Sequence, residues 1–247
     1  HSVNVCLLAL ALANRSGFPK PALVDLGVAA LFHDIGKIEV PREVLNHPGE
    51  LSPADWELLQ GHPVLGVLTL IRTRGITETP ARMAAAAFEH HMYLDASGYP
   101  RLAEPWEQSV TGRILAIADC YDGLTSSRVY RATPVHPEQV LRMMLAKANQ
   151  SFDPVLLKLF INAIGRIPIG SLVLLNTGEL AVVVRPAQKP EAIGRPTVRI
   201  VTDVHGTPIE GPEVDLSHTE QDGQYAHHII RLIDQTEHGF DTSRYFL

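Results

Sequence analysis

The stretch Phe32-His33-Asp34-Ile35-Gly36-Lys37 decides how this chain reads. It closes a segment, Pro21 to Ile38, in which Leu23, Leu26, Ala30 and Leu31 recur at helical spacing, so a histidine and an aspartate arrive side by side at the tail of a buried helix. Two adjacent polar groups are costly to bury there unless something pairs with them. A metal cation satisfies a neutral imidazole and a carboxylate together. Gly36 lets the backbone turn, and Lys37 adds a cation suited to an anionic substrate. For this hexapeptide alone, a hydrogen-bonded His/Asp pair at a helix C-terminus is an equal reading, and histidines and acids elsewhere in the chain must decide between the two.

The whole chain sets the bounds. At 247 residues, 45% of them apolar, it can fill a substantial core. A formal net charge of −6 and the absence of any block of consecutive Lys or Arg argue against a groove for polymeric nucleic acid. A small phosphorylated ligand gripped by a few cations remains compatible. No apolar run approaches the roughly 20 residues that cross a bilayer, so no membrane segment is expected. Cys6 and Cys120 fall in apolar helical surroundings and form no disulfide framework, which fits a reducing compartment and a cytoplasmic location. The chain opens at His1 inside an apolar-periodic segment, and on that ground a longer protein with an upstream part is expected.

In order, the spacing predicts a helix over His1 to Asn14, then the helix that delivers His33, Asp34 and Lys37. Ser52-Pro53-Ala54-Asp55 supplies an N-cap, a first-turn proline and an acidic third position, opening a helix from Pro53 to Thr73 that Pro63 should bend beside His62. An alanine-rich helix, Ala81 to His90, ends in His90-His91, and Ser97-Gly98-Tyr99-Pro100 has the composition of a tight turn. The next helix, Glu107 to Ser127, carries Asp119 on its apolar side, where an acid is rarely left unpaired. Arg128 and Arg131 follow, and two more helices are expected at Pro137 to Ala148 and Pro154 to Ile164. From Gly170 the pattern changes. Leu172 to Leu175, Leu180 to Val184, Thr197 to Thr202 and Ile229 to Ile233 read as strands separated by turn sequences. The expectation is a mainly α protein: a helical bundle over residues 1–168 and a small β-rich module over 169–247.

His1, His33, Asp34, His62, His90, His91 and Asp119 are nitrogen and oxygen donors of intermediate to hard character. Converging in a bundle, they suit two or three first-row divalent ions such as iron or manganese.

On His33-Asp34-Ile35-Gly36-Lys37, His62-Pro63, His90-His91, Ser97-Gly98-Tyr99-Pro100, Ile117-Ala118-Asp119 and Arg128 to Arg131, the region from His1 to about Phe160 resembles an HD-GYP phosphodiesterase of the HD phosphohydrolase superfamily. That resemblance implies an all-helical bundle, a centre of two or three metals, and hydrolysis of cyclic di-GMP. It also implies that the seven residues above are metal ligands, that Asp34 and Lys37 serve catalysis, and that Lys37, Arg128, Arg131 and Tyr99 hold substrate. Met92 and Ala96 stand where the family usually has an acid and a glycine. An HD phosphohydrolase acting on another nucleotide, and a metal-containing signalling domain without turnover, remain as alternatives, with an upstream sensor domain and a homodimer as further expectations.

Overall fold

The computed structural model describes residues 1–247 except 75–77, 105, 127–134, 136, 165–166, 168, 188–191, 193, 220–222, 234–244 and 246–247. It divides into two compact units, His1–Ala163 and Ile164–Leu247.

The first unit is helical: α1 (Ser2–Arg15), α2 (Lys20–Phe32), a 3₁₀ turn (Ile35–Glu39), α3 (Arg42–Leu45), α4 (Pro53–Gln60), α5 (His62–Arg74), α6 (Glu78–Glu89), α7 (Val110–Thr125), α8 (Pro137–Ala146) and α9 (Pro154–Ile164). Helix α1 packs on α2 and α7, and α6 packs on α2, α5 and α7. Val5, Ala9 and Leu12 of α1 and Ile114, Leu115, Ile117 and Ala118 of α7 are fully enclosed. Small residues at these seams, such as Ala86 and Ala87 of α6, let neighbouring helices approach closely.

The structure departs from one expectation. The segment Pro53 to Thr73 is not a single bent helix but two, α4 and α5, separated at Gly61. Pro63 has no N–H to give the Leu59 carbonyl, so it sits in the first turn of a new helix, where that donor is dispensable. The Ser52 cap of α4 is as expected, its Oγ accepting from the Asp55 N–H at 3.2 Å.

The second unit is a five-stranded antiparallel sheet in the order β4-β3-β2-β1-β5, formed by β1 (Leu172–Leu175), β2 (Leu180–Arg185), β3 (Thr197–Ile200), β4 (Glu213–Asp215) and β5 (Ile229–Ile233). Alternation splits the apolar residues between its faces: Val173, Leu175 and Val183 join one cluster, Leu172 and Val182 the other. Strand β4 is an addition to the four expected from the sequence. No described helix is long and apolar enough to cross a membrane.

Candidate metal centre

Helix ends build the centre. The last carbonyls of an α-helix have no intrahelical partner, and three histidines use them. His33 caps α2, and its Nδ1 lies 2.6 Å from the Ala30 carbonyl. His90 follows α6, with Nδ1 2.8 Å from the Ala87 carbonyl. At His62, between α4 and α5, Nδ1 lies 2.7 Å from the Leu59 carbonyl that Pro63 leaves free. In each case Nδ1–H donates to the backbone, which turns the Nε2 lone pair outward to a common point. The C-termini of α2, α4 and α6 thus meet there, and their dipoles favour a cation.

Asp34 stands between two groups of donors. Its Oδ1 is 3.2 Å from His62 Nε2 and 3.6 Å from His90 Nε2. Its Oδ2 is 3.5 Å from both His1 Nε2 and His33 Nε2. Asp119 Oδ1 lies 3.0 Å from His1 Nε2 and 3.7 Å from His33 Nε2, and its Oδ2 lies 3.7 Å from His91 Nδ1. Asp34, His62, His90 and His91 form one set, and His1, His33 and Asp119 another, with donor atoms in each set within 4.8 Å of one another.

These residues fit a metal. His33 Nε2 and Asp34 Oδ1 are buried without a hydrogen-bond partner, although imidazole nitrogens approach that oxygen. A cation would supply the partner both lack. The electrostatics agree. Burial alone would raise the carboxyls of Asp34 and Asp119, but the surrounding imidazoles outweigh it and hold both well below the usual range. Burial opposes charge on His1 too, yet Asp119, Asp122 and Asp34 push it up to about 10. His91 is held well below the ordinary value, first by burial and then by His90, so it stays a neutral donor.

Asp122 escaped the sequence reading. Its Oδ2 lies 2.6 Å from His1 Nδ1, while Asn4 Nδ2 and Ser126 Oγ each donate to Oδ1 at 2.9 Å. It sets the His1 ring as the helix carbonyls set those of His33, His62 and His90. The only trace in the sequence is its i,i+3 spacing from Asp119, which puts both acids on one face of α7.

Two glycines allow the elements to close. A Cβ on Gly36 would strike the His62 carbonyl and the Gly66 backbone, and one on Gly98 would strike the His91 carbonyl. The Tyr99 N–H donates to that same His91 carbonyl at 3.0 Å, and its ring lies over the His91 ring at a centroid distance of 4.5 Å. Lys37 Nζ is 2.5 Å from Asp34 Oδ2. A cleft of about 650 Å³ opens from the centre, lined by Lys37, Trp56 and Tyr99 among others. All seven donors read from the sequence therefore come together, with Lys37 and Tyr99 at their edge. Arg128 and Arg131 lie outside the described residues.

Residues 2–156 match the HD domain family, and residues 172–240 match the KOW domain associated with HD domain. The chain belongs to the HD domain family. A cyclic di-GMP phosphodiesterase of Pseudomonas aeruginosa is 35% identical to it over 222 residues, covering 90% of this chain and 52% of that protein. A 3′3′-cGAMP-specific phosphodiesterase of Vibrio cholerae is 32% identical over 161 residues, covering 65% of this chain and 30% of the other. The chain thus spans about half, or less, of the length of these relatives. Among solved structures, Bd1817, an HDG"Y"P protein from Bdellovibrio bacteriovorus, shares the fold with a TM-score of 0.52 at 20% identity, over 65% of this chain and 50% of that one.

Proposed function

We propose that this chain carries a metal-dependent phosphodiesterase that hydrolyses cyclic di-GMP to pGpG and/or GMP. The observation that carries this reading is the Asp34 carboxylate, with one oxygen turned to each of two donor sets among imidazoles of which His33, His62 and His90 are oriented by backbone carbonyls. His1, His33 and Asp119 would hold one ion, His62, His90 and His91 a second, with Asp34 between them. The nitrogen and oxygen donors suit iron or manganese. Two such ions would supply Lewis-acid activation of water and phosphate at neutral pH.

The chain's own residues do the rest. Each phosphodiester of a cyclic dinucleotide is an anion, and Lys37, whose ammonium lies against Asp34 at the cleft, neutralises its non-bridging oxygens and supplies a proton to the leaving 3′ oxygen. Tyr99 closes one side of the cleft over His91 and contacts substrate. By the family resemblance, Arg128 and Arg131 grip phosphate or a guanine edge with planar forks.

The relative of 32% identity named for 3′3′-cGAMP supports a second reading, in which the same centre cleaves a mixed cyclic dinucleotide. Anaerobically prepared, metal-loaded protein assayed by product chromatography with both dinucleotides separates the two. Linear product from cyclic di-GMP supports the first reading, linear product from 3′3′-cGAMP alone supports the second, and no product from either overturns both.

A further inference from the structure

We infer that Trp56 is the stacking platform for one base of the substrate, an inference that rests on the cyclic dinucleotide reading above. Phosphodiester chemistry at the metal centre needs no aromatic group. Yet a tryptophan 46% exposed lines the same cleft as His62, His91 and Asp119. Its position is fixed by its helix. Trp56 lies in the first turn of α4, which Ser52 closes by accepting from the Asp55 N–H at 3.2 Å and donating to Asp55 Oδ2 at 2.6 Å.

The Trp56 and Tyr99 ring centroids are 6.4 Å apart at 76°, so the two rings form a corner rather than a sandwich. A planar base laid on Trp56 meets Tyr99 edgewise, the arrangement aromatic quadrupoles prefer. Leu45, Leu51 and Leu59 supply apolar wall in the same cleft, and Lys37 marks the phosphate side. At about 650 Å³ the cleft lies within the usual span for small-ligand sites, about 300–1,000 Å³. A flat apolar surface beside a cation and a set of metal donors matches a nucleotide, which joins a π-face to a phosphate.

The test compares a ligand with a base and one without. Steady-state kinetics with cyclic di-GMP give KM and kcat, and competition by inorganic phosphate gives its inhibition constant, for the wild type, Trp56→Ala and Trp56→Phe at measured metal content. Losing one base stack should raise KM in Trp56→Ala about tenfold, with a smaller change in kcat. Phosphate inhibition and metal content should stay within about twofold, since neither draws on a π-face. Trp56→Phe, which keeps a ring, should recover most of the loss. An unchanged KM in Trp56→Ala, or an equal loss of phosphate inhibition, overturns the platform while leaving the phosphodiesterase reading standing. A metal-loaded wild type that cleaves no cyclic dinucleotide overturns that reading and the platform with it.

Discussion

The two units of the chain bury different things. Among the described residues, the helical unit encloses His33, His62, Glu89, His90, Gln108, Asp122 and Ser151, whereas the β unit encloses only two polar side chains, Thr197 and Thr202. The hydroxyl of Thr202 is satisfied by the Leu180 N–H at 2.9 Å. His33 Nε2 and Asp34 Oδ1 have no such partner. Buried polar groups cost stability unless something answers them, so the place where a fold tolerates unanswered ones is where a ligand is expected. The β unit follows the ordinary economy of an apolar core, and the helical unit departs from it at one centre.

That contrast can be broken by mutation. The largest effect is expected for His33→Ala, which should remove most bound metal and all hydrolysis of cyclic di-GMP while the protein stays folded by circular dichroism; full activity would remove His33 from the centre. In the β unit, Leu175→Ala, at a site 1% exposed, should cost about 2–5 kcal/mol in denaturant unfolding. The metal content of the folded protein should not change with it, and a parallel loss of metal would erase the distinction between the units.

Asp122→Asn sharpens the comparison within the helical unit. It keeps the size of the side chain but removes the charge beside His1 Nδ1, and chelator competition should show metal affinity weaker by about 10–100-fold. Unchanged affinity would reduce Asp122 to a partner of Asn4 and Ser126. The smallest effect concerns Ala96, exposed and at φ 60°, a backbone conformation that favours glycine. Ala96→Gly relieves a left-handed backbone and should stabilise the protein by about 1 kcal/mol, read as a rise in Tm. A fall in Tm would show that the turn gains from the methyl group.

The legible parts of the molecule were those with local periodicity. Helical apolar spacing marks α1 and α2, an alanine-rich run marks α6, continuous apolar runs either side of a turn sequence mark β1 and β2, and the oddity of His33-Asp34 and His90-His91 at the ends of apolar helices marks the centre. Strand β4 was not legible because it is only three residues long and follows a proline, too short for a period-two pattern. The division of α4 from α5 is not legible because a proline inside a periodic segment signals a kink or a fresh start equally well. Asp122 was not legible because its partner, His1, lies 121 residues away, and only the fold brings them together. Trp56 carries no local signal at all, since an aromatic residue on a capped helix is commonplace until a cleft is seen to open beside it.

In the proposed centre Asp34 joins two metal sites. Metal-to-protein stoichiometry of anaerobically prepared wild type and Asp34→Ala, measured by mass spectrometry of the metals with turnover of cyclic di-GMP on the same samples, tests it directly. The wild type should hold two ions per chain and give linear product, and Asp34→Ala should hold one ion or none and give no product. Equal stoichiometry and equal turnover in the two proteins would contradict it.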